Sequence, residues 1–288
     1  MSNIAIMTDS NSGILPEQGE KEGIAILPMP VVIEGKTYYE EVDLSKERFY
    51  QLQKEGAQIS TSMPSPGSMV DMWKTLLQDH DEVVYIPMSS GLSNSCHSAI
   101  MLAQEFQGKV FVVDNHRVSV TLTQSVYDAL AMAKAGMNGA QIKEKLEQES
   151  DYASIYIAVD TLEYLKKGGR ITPAAASIGT VLNLKPVLSL AGGDKLDSYA
   201  KVRGMKHAFH TMCEALRKDI DGKFSGYKEK CELMLGFADS LMDEEKRDAW
   251  KAELQENFPD MEILYSPLTL SLATHIGPGA VGVAVFHR

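Results

Sequence analysis

Short β-branched runs, each followed by a turn cluster and then a helix-like segment, recur along this chain, and that alternation most narrows what it can fold into. Strands that alternate with helices are expected to lie side by side in a largely parallel sheet covered by helices, because each crossover returns the chain to the same end of the sheet. The clearest runs in the first half are residues 4–7, 83–87 and 110–113. Between them, residues 65–78 and 95–106 read as amphipathic helices. Pro66 opens the first of these, where the amide a proline lacks would have no intrahelical partner. Near residue 150 the pattern restarts. Residues 154–159 read as a strand, 162–167 as a helix ending in Gly168-Gly169, and 186–190, 230–237, 262–264 and 280–286 as further strands. The last is almost wholly apolar, as expected of a central strand buried on both faces.

At 288 residues the chain exceeds the usual domain of about 100–150 residues. Two α/β domains are expected, 1–152 and 153–288. Hydrophobic residues at 44% and charged residues at 23% give each enough apolar material for a core. A net charge of -11 opposes binding to phosphate backbones, and no basic patch offsets it. The apolar run Ile4-Ala5-Ile6-Met7 stops at Thr8-Asp9-Ser10 without a basic leader, and no stretch approaches the roughly 18 apolar residues of a spanning helix. Cys96, Cys213 and Cys231 are odd in number and have no metal-ligand spacing, which fits a reducing cytoplasm and predicts neither disulfide nor metal site.

Four segments hold residues that suit an anion. Ser89-Ser90-Gly91-Leu92-Ser93-Asn94-Ser95 follows a strand and precedes a helix, so hydroxyls and free amides meet at the carboxyl end of a sheet, where α/β proteins bind ligands. N-capping by Ser93 or Ser95 is the purely structural alternative. Ser60-Thr61-Ser62-Met63-Pro64-Ser65-Pro66 leads a helix in the same way. Thr274-His275-Ile276-Gly277-Pro278-Gly279-Ala280 sets one histidine beside a glycine-proline-glycine turn, where it can donate to an anion or titrate near neutrality. The segment from Asp160 to Ile171 ends in Gly168-Gly169-Arg170, and Arg170 is a candidate anion or partner contact. No P-loop, HExxH, GxSxG or GxGxxG occurs, so ordinary nucleotide and hydrolase sites lack their key residues.

Taken together, Ile6-Met7-Thr8-Asp9-Ser10, Thr61-Ser62-Met63-Pro64-Ser65, the Ser89 to Ser95 turn, the Gly-Gly-Arg segment and His275-Ile276-Gly277-Pro278-Gly279 resemble the DegV family over essentially the whole chain. Members of that family bind fatty acids, and in many bacteria they supply them to a separate fatty-acid kinase. The resemblance implies a DegV-like fold with a ligand tunnel between two α/β domains, and a binding subunit rather than an enzyme, without cofactor or metal. It places Thr61, Ser62, Ser93, Asn94 and His275 around a fatty-acid carboxylate. Arg170 and Gly169 would lie near the head group; apart from the resemblance, the cations Arg170, Lys201 and Arg203 are the candidates for a partner-facing surface. The sequence departs from the family pattern at Asn94 and Ser95, where glycine and threonine are expected, and at Met63, where glutamine is usual. The implied partners are a long-chain fatty acid and a cytoplasmic kinase that forms an acyl phosphate for phospholipid synthesis. Neither nucleic acid nor a spanning segment is expected, and membrane contact would be transient. Two other functions fit the residues: an enzyme acting on a small anionic or phosphorylated substrate with His275 as acid-base, and a lipid store with no kinase partner.

Overall fold

The computed structural model describes residues 3–177, 183–190, 195–230 and 232–287, so Cys231 lies outside the described residues. Thirteen strands, in chain order, are β1 (Ile4–Asp9), β2 (Ile24–Leu27), β3 (Pro30–Ile33), β4 (Lys36–Tyr39), β5 (Ile59–Thr61), β6 (Glu82–Ile86), β7 (Val110–Val112), β8 (Ala153–Ala158), β9 (Leu184–Ser189), β10 (Asp197–Arg203), β11 (Leu233–Asp239), β12 (Ile263–Pro267) and β13 (Val281–His287). They form three sheets among the described residues. The first is all parallel, in the order β2-β1-β6-β7. Alternate residues of its strands face opposite sides, and both sides are apolar. Met7, Val83 and Tyr85 pack under the helix Pro66–Asp79, around Met69 and Trp73, while Ile6, Val84 and Ile86 pack with Val126 and Ile142 of the helices Val120–Lys134 and Gly139–Gln148. Such double burial is what a parallel sheet requires.

The second sheet has the order β10-β9-β8-β13-β11-β12, and here the structure differs from the sequence expectation. Only β11 and β12 run parallel, joined through the helix Glu244–Asn257; every other neighbouring pair is antiparallel. Strand direction follows from how the connections return the chain, which the apolar runs themselves do not encode. The apolar β13 does sit inside the sheet, between β8 and β11. The helix Met205–Asp221 covers one face through Phe209, Met212 and Leu216. The other face, with Ile157, Leu188 and Ala284, turns toward the first sheet and its helices.

The third sheet, β4-β3-β5, is antiparallel and small. Its apolar side packs Val31, Ile33 and Ile59 with Phe49 and with Leu270 and Ala273, which belong to the helix Leu270–Ile276. Polar links tie the same regions together. Lys46 Nζ donates to the Leu241 carbonyl at 3.1 Å, and the Leu270 amide donates to Glu40 Oε2 at 2.8 Å. Asn11 Oδ1 accepts from Thr269 Oγ1 at 2.8 Å and from Ser271 Oγ at 2.5 Å. Segments far apart in sequence thus close on one space between the carboxyl ends of the parallel strands and the inner face of the six-stranded sheet. Among the described residues no helix is long and apolar enough to cross a membrane.

Candidate functional site

The space enclosed there is a cavity of about 230 Å³, lined by partly exposed polar residues on one side and by buried, mostly apolar ones on the other. Thr61, Ser62, Met63, Ser93, Asn94, Arg170 and His275 line it, together with Val118, Val120, Ile155, Ile157, Leu190, Leu268 and Val283. Every local element that delivers the polar groups has a physical reason. Thr61 ends β5, held opposite Val31 of β3, and the Ser62 amide donates to the Pro30 carbonyl at 3.4 Å. The Ser89 turn begins where buried Asp9 grips it: Asp9 Oδ2 accepts the Met88 amide at 2.8 Å while Oδ1 accepts the Asn11 amide at 2.9 Å. Burial holds the Asp9 carboxyl up at about 6, against the opposing pull of those two amides.

Ser93 does not cap the following helix, and neither does Ser95. The N-cap position of Ser95–Ala103 is Asn94, in a helical conformation and without a side-chain capping bond. Ser93 Oγ instead accepts the Ser95 amide at 3.2 Å and donates to Ser95 Oγ at 3.1 Å, which ties the turn to itself. Arg170 fastens it from the other side: its Nε donates to the Leu92 carbonyl at 3.1 Å and its Nη1 donates to the Gly168 carbonyl.

His275 stands in the last turn of the helix Leu270–Ile276, and its Nε2 lies 2.8 Å from Thr61 Oγ1. Burial, and secondarily the charge of Arg170, push its pKa down to about 4, so the imidazole is neutral at neutral pH. Its position is fixed by an interlock of the two glycine motifs. A methyl at Gly168 would meet His275 Nδ1 at 2.1 Å, and one at Gly277, where φ is +81°, would meet the Tyr164 ring at 2.4 Å. The ring of each segment therefore lies on a glycine of the other. Gly169, with φ of 69°, provides the left-handed cap that ends the helix Glu163–Gly168. After β11, Ser240 Oγ donates to the Gly277 carbonyl at 2.7 Å and accepts the Ala280 amide at 2.9 Å, anchoring the glycine-proline turn.

A profile of the family described as uncharacterised protein, DegV family, matches residues 3–288. The chain belongs to the DegV family. A DegV domain-containing protein of Deinococcus radiodurans is 36% identical over 285 residues, covering 98% of both chains, and one of Listeria monocytogenes is 31% identical over 97% of both. Among solved structures, a DegV family protein from Thermus thermophilus described for its fatty-acid binding superposes with a TM-score of 0.88 at 30% identity, over 99% of this chain and 100% of that one. DegV from Bacillus subtilis, described as a fatty acid binding protein, gives 0.85 at 28% identity over 100% of both. The α/β, DegV-like fold expected from the sequence is the fold observed.

Of the residues singled out in the sequence, Thr61, Ser62, Ser93, Asn94, Arg170 and His275 meet at this one cavity. Gly169 is exposed and does not line it. Neither do Lys201 and Arg203, which are exposed on the edge strand β10, opposite Pro186 and Leu184. Register puts them on the same sheet face as Leu188 and the cavity-lining Ile157. The reading by sequence passed over Gly168, Ser240, Asn11, Ser119 and Ser271. For Gly168 a signal existed, since paired glycines before an arginine ask for two reasons and a helix cap uses only one.

Proposed function

We propose that this DegV protein binds a long-chain fatty acid in the interdomain cavity and presents its carboxylate to a separate ATP-dependent kinase in the cytoplasm, which forms an acyl phosphate. The observation that carries this reading is the polarity of the cavity: hydroxyls, one imidazole and one guanidinium among its partly exposed lining, and mostly aliphatic side chains among its buried lining. The carboxylate would sit among Thr61, Ser62, Ser93, Asn94 and His275, with Arg170 beside it. The tail would lie between the two halves of the chain, which divide near residue 152. Burying it contributes about 0.8 kcal/mol per methylene, while the mouth groups offset the desolvation of the carboxylate. Relatives described as fatty-acid binding support the ligand class. The kinase assignment rests on the resemblance to a family whose members in many bacteria supply a separate fatty-acid kinase, together with the sequence's lack of nucleotide-binding motifs. Lys201 and Arg203 are the partner-facing cations in this proposal.

Native mass spectrometry of freshly purified protein, followed by solvent extraction, tests the ligand. A stoichiometric fatty acid is expected; protein that is empty and takes up no added fatty acid would refute the reading. Titrating the loaded protein into the kinase then separates delivery from storage.

One observation favours a second reading. A hydroxyl 2.8 Å from an imidazole, as in Thr61 and His275, is the arrangement an acid–base enzyme uses. However, a histidine depressed to about 4 is a poor base at neutral pH. Under the enzyme reading His275→Ala abolishes turnover of a small anionic substrate. Under the carrier reading it weakens fatty-acid binding and no turnover exists to lose.

A further inference from the structure

Deep in the otherwise aliphatic cavity lies a small group of polar side chains that a plain hydrocarbon tail does not explain. Ser119 is 7% exposed and lines the cavity, and its Oγ has no hydrogen-bond partner. It occupies the N-cap position of the 15-residue helix Val120–Lys134, yet its side chain makes no capping bond. Its backbone, at φ 54° and ψ −137°, lies in a region that favours glycine. A serine held in an unfavourable conformation, with its hydroxyl making no capping bond and no other hydrogen bond, leaves a buried, unpartnered polar atom in the cavity wall.

Its neighbours repeat the theme. Asn11, fully buried, also lines the cavity, and its Nδ2 donates to the Met88 thioether at 2.8 Å, a weak acceptor. Asn11 Oδ1 accepts from Ser271 Oγ at 2.5 Å, and the Ser119 amide donates to the Asn11 carbonyl at 3.0 Å. Ser271 lines the cavity as well, and it precedes His275 on the same helix by four residues. That spacing is about 6 Å along the axis, equivalent to several methylenes of an acyl chain. Ser271 is buried where His275 is half-buried, so the group lies inward of the mouth.

We propose that the cavity is built to take an oxygenated acyl chain, a fatty acid bearing a hydroxyl several carbons from its carboxylate. The ligand hydroxyl would pair with Ser119 Oγ and accept from Asn11 Nδ2 in place of the thioether. This rests on the fatty-acid reading above and adds the class of chain. The competing occupant is a buried water, which fills such sites when two or more polar groups converge.

The test measures affinities of delipidated protein for octadecanoic acid and for its monohydroxylated analogues, with the hydroxyl moved along the chain. One hydroxyl position is expected to bind about tenfold tighter than the plain acid, the value of one satisfied hydrogen bond. In Ser119→Ala that ratio should collapse to one or invert. Ser119→Gly, which relieves the positive φ and also removes the hydroxyl, provides the same comparison if the alanine variant fails to fold. If the plain acid binds at least as tightly as every analogue in the native protein, the group serves a water and the inference is overturned. If no acid of either kind binds, the fatty-acid reading itself fails, a different outcome.

Discussion

The interlock between Gly168 and His275 makes a prediction that couples stability to binding. In Gly168→Ala the new methyl would stand 2.1 Å from His275 Nδ1, and 3.4 Å is the near limit of ordinary contact, so the ring or the helix must give by about 1.3 Å (3.4 − 2.1). The ring's far side is held by the 2.8 Å contact with Thr61, and a shift of that size breaks a hydrogen bond. Losing that bond and misplacing the imidazole should cost about 1–2 kcal/mol of binding, a factor of roughly 5–30 in affinity. Gly168 is the last residue of the helix Glu163–Gly168, where alanine is preferred by up to about 1 kcal/mol. That gain offsets only part of the clash and of the lost intramolecular hydrogen bond, so folding stability should fall by less than binding does. Calorimetric titration of delipidated protein with fatty acid, paired with thermal unfolding, measures both. In His275→Ala the clashing ring is gone, so adding Gly168→Ala should cause no further loss, a coupling that a double-mutant cycle resolves. Native affinity in Gly168→Ala, or full additivity in the cycle, would refute the claim that Gly168 acts by seating His275.

Other outcomes follow from the charges. His275, depressed to about 4 by burial and by Arg170, lies below its unfolded value of about 6.5. Its contribution to stability is complete above the unfolded value and lost as pH falls through the folded one; NMR titration should find it near 4 in apo protein and higher in Arg170→Met or with a carboxylate bound. Glu40, raised to about 7 by burial, behaves oppositely, since its contribution is present below the unfolded value and lost as pH rises through 7. Glu40→Gln should therefore stabilise the protein on the order of 2 kcal/mol at pH 8, with the gain gone near pH 4.5; a difference independent of pH in denaturant titrations would refute this. Charge reversal at Lys201 and Arg203 together should weaken kinase association while leaving fatty-acid affinity as it was, and unchanged association by interferometry would remove them from the partner surface.

The parts of the fold legible in sequence were those whose residues face the same environment on both sides. β1, β6 and β13 are apolar runs buried on two faces, and their positions follow from composition alone. The small sheet was not legible, because β4 reads Lys-Thr-Tyr-Tyr and none of its residues is buried. Strands that short make their pairing through neighbours rather than through their own pattern. The expected strand at 230–237 begins at Leu233, since Lys230 belongs to the turn after the helix Ser225–Lys228. At the site, Thr61 and His275 are 214 residues apart, and nothing local in either segment announces the other. Only the order and spacing of several weak segments, resembling one family, joined them. The interior group was hidden for a simpler reason. Ser119 sits between two valines and Ser271 between two leucines, with Thr121, Thr123, Thr269 and Thr274 close by, and where hydroxyls and aliphatic residues alternate the sequence does not mark which hydroxyl is left without a partner.

Under the fatty-acid reading proposed above, the mouth's chemistry bears on how firmly the carboxylate end of the ligand would be held. A guanidinium free to pair bidentately with a carboxylate would clamp it and compete with any enzyme that must reach it. Here Arg170 already spends two donors, on the carbonyls of Leu92 and Gly168, and His275 is neutral at neutral pH. What remains for the carboxylate is a guanidinium held in place by those two carbonyls with three donors left, and hydroxyls that orient it with individually modest bonds. The tail provides the larger share, since burying a dozen methylenes contributes about 10 kcal/mol before the costs of immobilisation. On the proposed reading, affinity and accessibility are thereby placed at opposite ends of one ligand. Restoring the clamp should then separate them: Leu92 cannot withhold its carbonyl, but Met63→Arg, at an exposed position lining the cavity, would add a free cation at the mouth. Such a variant should bind fatty acid at least as tightly as the native protein, and the fatty acid it carries should be phosphorylated more slowly by the kinase. Equal or faster turnover would show that the partner does not need a weakly held head group.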